Sequence, residues 1–290
     1  MSEIKVNSIK GVGASTAAIT VNNTDGTCTA NITNNLSNRN KVINGSAIVS
    51  QRGTTIHGTS ATYTAIDRFS TRTGSSYDFD VEVSQSTDTP DGFSKSLKIS
   101  PRATSTPSAS QNGAIQTKLE GQDVQDFAFG TSSAKSITLS FYAKSGSAGA
   151  GTYSIELHFV NASGSIFQQT RAFTVTTSWQ RFSFTFEGNG AATSNAVVNN
   201  NSDAFRIIWH LASGPDDKAS AITTWTVLSS MKTITGMDNF MSSTSNEFYL
   251  TGVQLETGSF SSDFQFRSFP EELALCQRYF YMHASGAEAA

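Results

Sequence analysis

Five polar or aromatic side chains fall on the outward positions of segments in which apolar and polar residues alternate. They are Tyr142, Glu156, His158, Arg206 and His210. An exposed aromatic ring can pack on the apolar face of a pyranose, and neighbouring charged or imidazole groups can hydrogen-bond its hydroxyls. The pattern predicts a ligand-binding face for glycan, with an ordinary surface or a subunit contact as the alternative.

Carboxylates supply a second candidate chemistry. Asp78 and Asp80 lie close together, as do Asp88 and Asp91, and clustered carboxylate oxygens can bind Ca²⁺. Solvated acids in turns are the preferred interpretation, and the four histidines lack metal-ligand spacing, so we predict no metal and no cofactor. No pair of carboxylates is recognisable as a glycosidase acid and base, and common catalytic motifs are absent. We therefore predict that the protein is not an enzyme.

The bulk composition argues against several partners. The net charge is -3 and charged residues make up 15% of the 290 residues, which gives no attraction to nucleic acid or anionic membranes. No apolar run is long enough to span a bilayer, and no signal peptide is evident.

The two cysteines, Cys28 and Cys276, are far apart, and we expect both thiols to be free in a reducing cytoplasm.

The sequence pattern predicts β-strands over most of the chain. A period of two residues, typical of strands with one buried face, recurs in segments separated by connectors rich in Gly, Ser and Asn. The clearest are FDVEV (79–83), SLKIS (96–100), SITLSFYAK (136–144), YSIELHF (153–159), RFSFTFE (181–187) and FRIIWHL (205–211). These segments predict an all-β fold, a jelly-roll β-sandwich over residues 38–267.

Two local irregularities are expected within the sandwich. Asn44-Gly45 lies between apolar runs and predicts a hairpin, because both residues tolerate positive φ. In EFYLTGVQLE (247–256) the apolar positions shift from even to odd numbers around Gly252. A β-bulge at Gly252 would absorb the extra residue.

The C-terminal stretch, residues 268–290, predicts a short helix from about Pro270 to about Tyr279. Ser268 suits the N-cap and Glu271 has capping-box spacing. The helix directs an apolar stripe toward protein, either the open end of its own sandwich or a neighbouring subunit. The candidate subunit contacts are Leu273, Cys276, Tyr279 and Phe280.

Residues 1–37 form a separate segment with few apolar residues. Such a segment cannot bury a core of its own. We expect it to borrow a core from neighbouring chains, as in an intertwined stalk, which predicts a homo-oligomer, most simply a homotrimer.

Four blocks of the sequence, in this order, resemble modules of bacteriophage tail-fibre and appendage proteins. They are NRNKVINGSAIVSQRGT (38–54), YTAIDRFS (63–70), FYLTGVQLETG (248–258) and EELALCQRYF (271–280). The segment IKVNSIKG (4–11) also looks like the start of phage fibre proteins. Between the blocks, DGFSKSLKIS (91–100) and FTVTTSWQRFSFTFEG (173–188) are similar to jelly-roll carbohydrate-binding modules.

The resemblance implies a virion structural protein that is made in the host cytoplasm. Residues 1–37 would attach it to other tail or capsid proteins, the chain would be a trimer, and the sandwich would recognise a host cell-surface glycan. Two alternatives stay open: a purely structural head-decoration or tail-collar component without a ligand, and a glycan depolymerase.

Overall fold

The computed structural model describes residues 6–9, 12, 19–21, 24, 28–30, 38–58, 62–190, 192–227 and 232–283. The chain divides into two units, Met1–Arg39 and Asn40–Ala290. Within the described residues, no helix has both the length and the apolar character needed to cross a membrane. The side chain of Cys28 lies outside the described residues, so the predicted free thiol there is not addressed.

The first unit contains a small antiparallel sheet of three strands, β1 (Ser8–Ile9), β2 (Ile19–Val21) and β3 (Cys28–Ala30). Its strands are only two or three residues long. The apolar side chains of Val6 and Ile9 are exposed, as expected of a segment with too few apolar residues for a core.

The described part of the second unit contains fourteen further strands, which the period-two segments largely anticipate. In chain order they are β4 (Thr55–Gly58), β5 (Phe69–Gly74), β6 (Val81–Ser86), β7 (Ser96–Pro101), β8 (Asn112–Glu120), β9 (Ile137–Ser145), β10 (Gly151–Val160), β11 (Ile166–Val175), β12 (Gln180–Phe186), β13 (Asp203–Ser213), β14 (Lys218–Ala219), β15 (Thr226–Val227), β16 (Thr233–Ile234) and β17 (Phe248–Thr257). Short 3₁₀ turns lie between them at Gly121–Phe127, Thr193–Asn195, Pro215–Asp217 and Phe240–Ser242.

Two six-stranded antiparallel sheets form the sandwich. The first sheet has the order β15-β11-β10-β13-β8-β5, and the second has the order β12-β9-β17-β7-β6-β4. A separate parallel pair joins β14 to β16. The predicted all-β jelly-roll sandwich with a short C-terminal helix is confirmed.

The core between the sheets is built from aromatic rings at the inward positions. Trp209 of β13 is fully buried and meets the ring of Phe141, from the opposite sheet, edge-on at 5.6 Å between centroids. Phe159 stacks on Phe167 at 5.0 Å, and Trp225 closes against Phe159 at 5.0 Å. The abundant phenylalanines of the sequence therefore hold the two sheets together, since offset and edge-on ring pairs add to their area burial.

The Asn44-Gly45 segment is a turn, but the predicted hairpin is wrong because no strand flanks it. Asn44 adopts a positive φ of 59°, and its buried side chain donates to the carbonyls of Val49 and Asp67, both at 2.9 Å. Its side-chain oxygen accepts from Val49 N at 3.0 Å. The turn is therefore stabilised by one amide side chain rather than by a β-ladder.

The β-bulge predicted at Gly252 is confirmed. The pairing of β17 with β9 shifts register between Thr251 and Gln254, and Gly252 has a φ of 61°. The turn packs on this bulge: Val253 N donates to Gly45 O at 2.9 Å, and Asn40 Nδ2 donates to Val253 O at 3.0 Å.

The C-terminal helix α1 spans Phe269–Gln277, close to the predicted range. Ser268 occupies the N-cap position but makes no side-chain capping hydrogen bond. Cys276 is buried against its own chain and its thiol is free; burial is the main cause that raises its pKa.

Two cation–π contacts bind the residues that follow α1 to the sandwich of the same chain. The Tyr279 ring lies 3.4 Å from the guanidinium of Arg68, and the Phe280 ring lies 3.6 Å from that of Arg52. Leu273 is only partly buried. Cys276, Tyr279 and Phe280 thus contact the sandwich of their own chain, and their predicted role between subunits stays a prediction.

The four sequence blocks at 38–54, 63–70, 248–258 and 271–280 meet in space. Asn44 N, from the first block, donates to the carboxylate of Glu272 in the last. Asp67, from the second, pairs with Arg52 at 3.2 Å, and β17, the third, carries the bulge under Gly45. What these blocks share is therefore a structural junction within the second unit.

Candidate ligand-binding faces

The five predicted site residues lie on two different sheets. Tyr142 belongs to β9 in the second sheet, whereas Glu156 and His158 belong to β10, and Arg206 and His210 to β13, in the first. The outer faces of the two sheets in a sandwich point away from each other. The prediction that all five residues form one face is therefore wrong, because no single small ligand reaches both sides.

On the first sheet, Glu156, His158 and His210 form a buried cluster. His158 Nδ1 lies 3.0 Å from Glu156 Oε1, and His210 Nε2 lies 2.8 Å from Glu156 Oε2. The exposed fractions of the three residues are 1%, 2% and 0%. The alternation of apolar and polar residues along β10 and β13 correctly predicts that these side chains lie on the outer face of the sheet. The expectation that they are exposed to solvent is wrong.

A covering segment, residues 214–227 and 232–237, packs on part of this face. Asp217 accepts from Asn112 Nδ2 at 2.7 Å, and Thr233 Oγ1 lies 2.8 Å from Ser213 Oγ. With its amide oriented to suit its neighbours, Gln168 donates to Glu156 Oε1 and accepts from Lys232 N. Contacts of this kind bury residues that would be exposed on an open sheet.

Arg206 lies at the rim of the same face. Its Nε donates to Asp203 Oδ2 at 2.7 Å, and Lys118 Nζ lies 3.0 Å from the same oxygen. The predicted site residue Arg206 is therefore half-buried in an ion-pair group beside the cluster.

The two imidazoles control the charge of Glu156. Burial alone would raise the pKa of this carboxyl, because a charge is poorly solvated in the interior. The hydrogen bonds from His158 and His210 outweigh burial and lower the pKa from 4.5 to about 2. Glu156 is therefore ionised over the whole neutral range.

We expect Glu156 to make stability depend on pH. Because its pKa is lower in the folded state, ionised Glu156 stabilises the fold at pH values above 4.5, and this contribution is lost as the pH falls toward 2. At neutral pH, Glu156→Gln should lower the free energy of unfolding by about 3 kcal/mol, and the deficit should shrink below pH 4.5. Urea denaturation over a pH series checks this, with the exposed Glu271→Gln as the control. A deficit that is constant with pH contradicts it.

The outer face of the second sheet carries an aromatic platform, which we define as Tyr142, Phe93, Phe264 and Phe266. The Phe93 centroid lies 5.3 Å from that of Tyr142, 5.1 Å from that of Phe264 and 5.0 Å from that of Phe266. Phe266 is 57% exposed. Phe93 thus contacts the three other rings, and the group presents apolar surface to solvent at the position of the predicted Tyr142.

The β-bulge makes room for the platform. A Cβ at Gly252 would lie 2.8 Å from Tyr142 Cδ2 and 2.9 Å from Phe93 Cζ, closer than packed atoms approach. Glycine at the bulge therefore lets both rings lie on the sheet, and the same residue that shifts the register of β17 positions the platform.

Buried polar side chains fix the segment that carries Phe264 and Phe266. Gln265 N donates to Gln254 Oε1 at 2.8 Å, and Ser262 N donates to Glu256 Oε1 at 2.8 Å. Arg181 donates to the carbonyl of Ser262. Side chains of β17 and β12 therefore fix the segment that carries Phe264 and Phe266, two of the four rings.

A second aromatic group lies on the same sheet. Trp179 Nε1 donates to Asp88 Oδ1 at 3.0 Å, and its ring lies 6.3 Å from that of Tyr249. Lys144 Nζ is 5.7 Å from the Trp179 ring and pairs with Asp88. Burial would raise the pKa of Asp88, but hydrogen bonds from Lys144 and Trp179 lower it.

Two of the four acidic residues considered for Ca²⁺ have other partners. Asp88 binds Lys144 and Trp179, and Asp80 pairs with Arg102 at 3.1 Å. Within the described residues, no group of three or more His, Cys, Asp or Glu side chains has an arrangement that fits a metal ion.

The sequence analysis missed Phe93, Phe264 and Phe266. They lie in connections outside the strands, where no alternation marks an outer face. The available signal was the concentration of phenylalanines in the Ser-rich stretch SFSSDFQF (259–266), which is unusual for an exposed connection.

Comparisons with known proteins give likenesses of fold. No family model matches the chain and no curated protein matches it by sequence. An enzymatically active domain of a tailspike protein from bacteriophage CBA120 is 12% identical with a TM-score of 0.37, over 76% of this chain and 21% of the other. The chain thus spans only a minor part of that tailspike.

Carbohydrate-binding modules from Clostridium thermocellum are also similar. A family 11 module of a cellulosomal cellulase is 10% identical with a TM-score of 0.36, over 71% of this chain and 97% of the module. A family 22 module of a xylanase is 14% identical with a TM-score of 0.37, over 67% and 89%. Such values carry no argument about ligand or activity, so the function of this chain rests on its own surface chemistry.

Proposed function

We propose that this protein is a non-enzymatic bacteriophage virion protein, a tail fibre or similar appendage, whose sandwich recognises a host-surface glycan at the aromatic platform. Residues 1–37 would attach it to other virion proteins, and the assembled form would be a homotrimer. The observation that carries the glycan part of the proposal is the group of four contacting rings on the outer face of the second sheet.

The chemistry of the platform suits a sugar ring. Aromatic faces pack against the C–H groups of a pyranose, and nearby polar groups can bind its hydroxyls. The guanidinium of Arg181 lies 5.9 Å from the centroid of Tyr142, and the partly exposed Ser262 lies in the segment that carries Phe264 and Phe266. An apolar floor with hydrogen-bonding groups at its edge is thereby provided.

Loss of a ring should weaken glycan binding with little change in stability. We expect Phe266→Ala and Tyr142→Ala each to reduce glycan or host-cell binding by roughly tenfold, which corresponds to about 1.4 kcal/mol. Phe266→Ala should leave the melting temperature nearly unchanged, since this ring is mostly exposed. The measurements are glycan-array binding and host-adsorption assays on the purified protein.

The control is Ile166→Ala, which removes an exposed apolar side chain from the first sheet. Equal binding by the wild type and both ring variants would reject the platform as the site. If in addition no glycan binds at all, a structural head-decoration or tail-collar component becomes the better assignment. Release of reducing sugar from host polysaccharide would indicate a depolymerase instead.

A further inference from the structure

The loops at one end of the sandwich enclose a polar cavity of about 340 Å³. Residues 146–150, between β9 and β10, and residues 235–247, between β16 and β17, supply most of its walls. The lining residues are Gly149, Ala150, Tyr153, Asp238, Asn239, Ser242 and Asn246. The volume lies in the range of sites for small organic molecules, about 300–1,000 Å³. The cavity is open to solvent, since Ala150, Asp238 and Ser242 are exposed.

The backbone of Thr152 fixes Asp238 in this cavity. Thr152 N donates to Asp238 Oδ2 at 2.8 Å, and Asp238 N donates to Thr152 O at 2.8 Å. Glycine at position 151 permits the close approach, because a Cβ there would lie 2.7 Å from Asp238 Oδ2. The other carboxylate oxygen, Oδ1, accepts no hydrogen bond from the described residues, so it is available to a ligand.

Asn246 contributes a second acceptor to the cavity wall. Its side chain is only 8% exposed, and its Nδ2 donates to Phe240 O at 2.7 Å, which fixes the orientation of the amide. Within the described residues, nothing donates to its Oδ1. Buried polar side chains in folded proteins nearly always have their hydrogen bonds satisfied. An unpaired amide oxygen in the wall of a cavity therefore points to a partner that enters the cavity.

Tyr153 joins the cavity to the core of the sandwich. Its ring packs on those of Phe240 and Phe248, with centroids 6.2 Å and 6.1 Å away, and its hydroxyl donates to Gly149 O at 2.8 Å. Burial and the negative charge of Asp238 raise the pKa of Tyr153, so the hydroxyl keeps its proton at neutral pH. This side of the cavity is therefore held in place by the core and needs no ligand to form.

The unused polar groups define the ligand. Asp238 Oδ1 and Asn246 Oδ1 accept hydrogen bonds, and the Ser242 hydroxyl can both donate and accept. The ligand must therefore donate at least two hydrogen bonds from a body large enough to fill the cavity. We propose that this cavity is a second saccharide site, in which hydroxyl groups of one sugar ring donate to Asp238 and Asn246. The site shares no residue with the aromatic platform and does not depend on it.

Anions and bare metal ions fit this cavity less well. Among the described residues that line it there is no Lys, Arg or His, and the nearby Lys218 donates instead to Met237 O. A phosphate or carboxylate would therefore meet two acceptors without a cation. A metal ion needs several oxygen ligands close around it, whereas Asp238 is the one carboxylate in the described lining and the volume exceeds that of a single ion. A sugar ring reaches separate acceptors with separate hydroxyls.

The test is a titration of the full chain with glucose, galactose, mannose and N-acetylglucosamine, followed by amide ¹H–¹⁵N NMR. At least one sugar should shift the Gly149 N–H and the Asn246 side-chain amide in a saturable manner. Two variants should each weaken the fitted affinity by roughly tenfold or more. Asp238→Asn keeps the size of the side chain and removes its charge, and Ala150→Trp fills the cavity from an exposed position. Asp216→Asn, at an exposed acid elsewhere, is the matched control and should bind as the wild type does.

The outcomes separate this site from the platform. Phe266→Ala should leave the shifts at Gly149 and Asn246 intact even where it abolishes glycan binding at the platform. Absence of a saturable shift with all four sugars overturns the second site, as do unchanged affinities in both Asp238→Asn and Ala150→Trp. Tighter binding of glucuronate than of any neutral sugar, or the same shifts with calcium chloride alone, shows that the ligand is an anion or a cation and overturns the saccharide assignment. If Asp238→Asn fails to fold, Ala150→Trp alone decides.

Discussion

Replacement of Glu272 by alanine is expected to lower the free energy of unfolding by about 3 kcal/mol, because it removes one partner of a buried ion pair. Glu272 is 3% exposed, accepts from Asn44 N and lies 3.3 Å from Arg267 Nη1. Without the carboxylate, a buried backbone N–H and a largely buried guanidinium both lose a partner. The loss therefore affects the junction of α1 with the Asn44 turn, not just the helix.

Glu271 offers the matched control. It precedes Glu272 in the first turn of α1 but is exposed, so Glu271→Ala should change stability by no more than about 0.5 kcal/mol. Urea denaturation of both variants gives the comparison, and light scattering of the folded variants reports any change in assembly. Similar small effects for the two substitutions would show that α1 is not anchored through Glu272.

The Gly45→Ala substitution is expected to cost at least about 3 kcal/mol, among the larger effects of single substitutions. The φ of Gly45 is not positive, so glycine is required by space and not by backbone conformation. A Cβ at this position would lie 2.1 Å from Val253 O. Backbone meets backbone there, and Gly45 O also accepts from Val253 N, so neither side moves without breaking the contact between turn and bulge.

The adjacent Ser46→Ala provides the comparison for Gly45→Ala. Ser46 lies in the same turn and is buried, but its hydroxyl has no hydrogen-bond partner among the described residues. Its loss should cost less than about 1 kcal/mol. Thermal and urea denaturation of the two variants measure the difference. If Gly45→Ala is as mild as Ser46→Ala, the turn can move away from β17 and the close approach is not essential.

The sequence predicts the strands because alternation reflects directly which face of a strand is buried. The Gly252 bulge is predictable for the same reason, since an extra residue shifts the alternation by one position. Alternation does not reveal what covers a face. His158 and His210 occupy outward positions, yet the covering segment, with strands of only two residues, produces no periodic signal of its own.

The aromatic platform shows a second limit of sequence reasoning. Tyr142 is identifiable from the sequence because it is an aromatic residue at an outward position of β9, but Phe93, Phe264 and Phe266 come from connections that only the tertiary fold brings together. Glu272 is a related case: its position in α1 indicates an exposed acid at a helix start, and its burial depends on Asn44, which is 228 residues away in the chain. Neither contact follows from local pattern.

That separation bears on the order in which the protein can acquire its structure. The Asn44 turn is synthesised early, but the bulge that receives Gly45 and the carboxylate that receives Asn44 N are made only near the end of the second unit. β17 also pairs with β9, in the middle of the second sheet. Contacts between residues so distant in sequence are slow to form because a long loop must close first. The sandwich therefore cannot close while the chain is still being translated through its middle strands, and until then its early strands must stay soluble without their final neighbours.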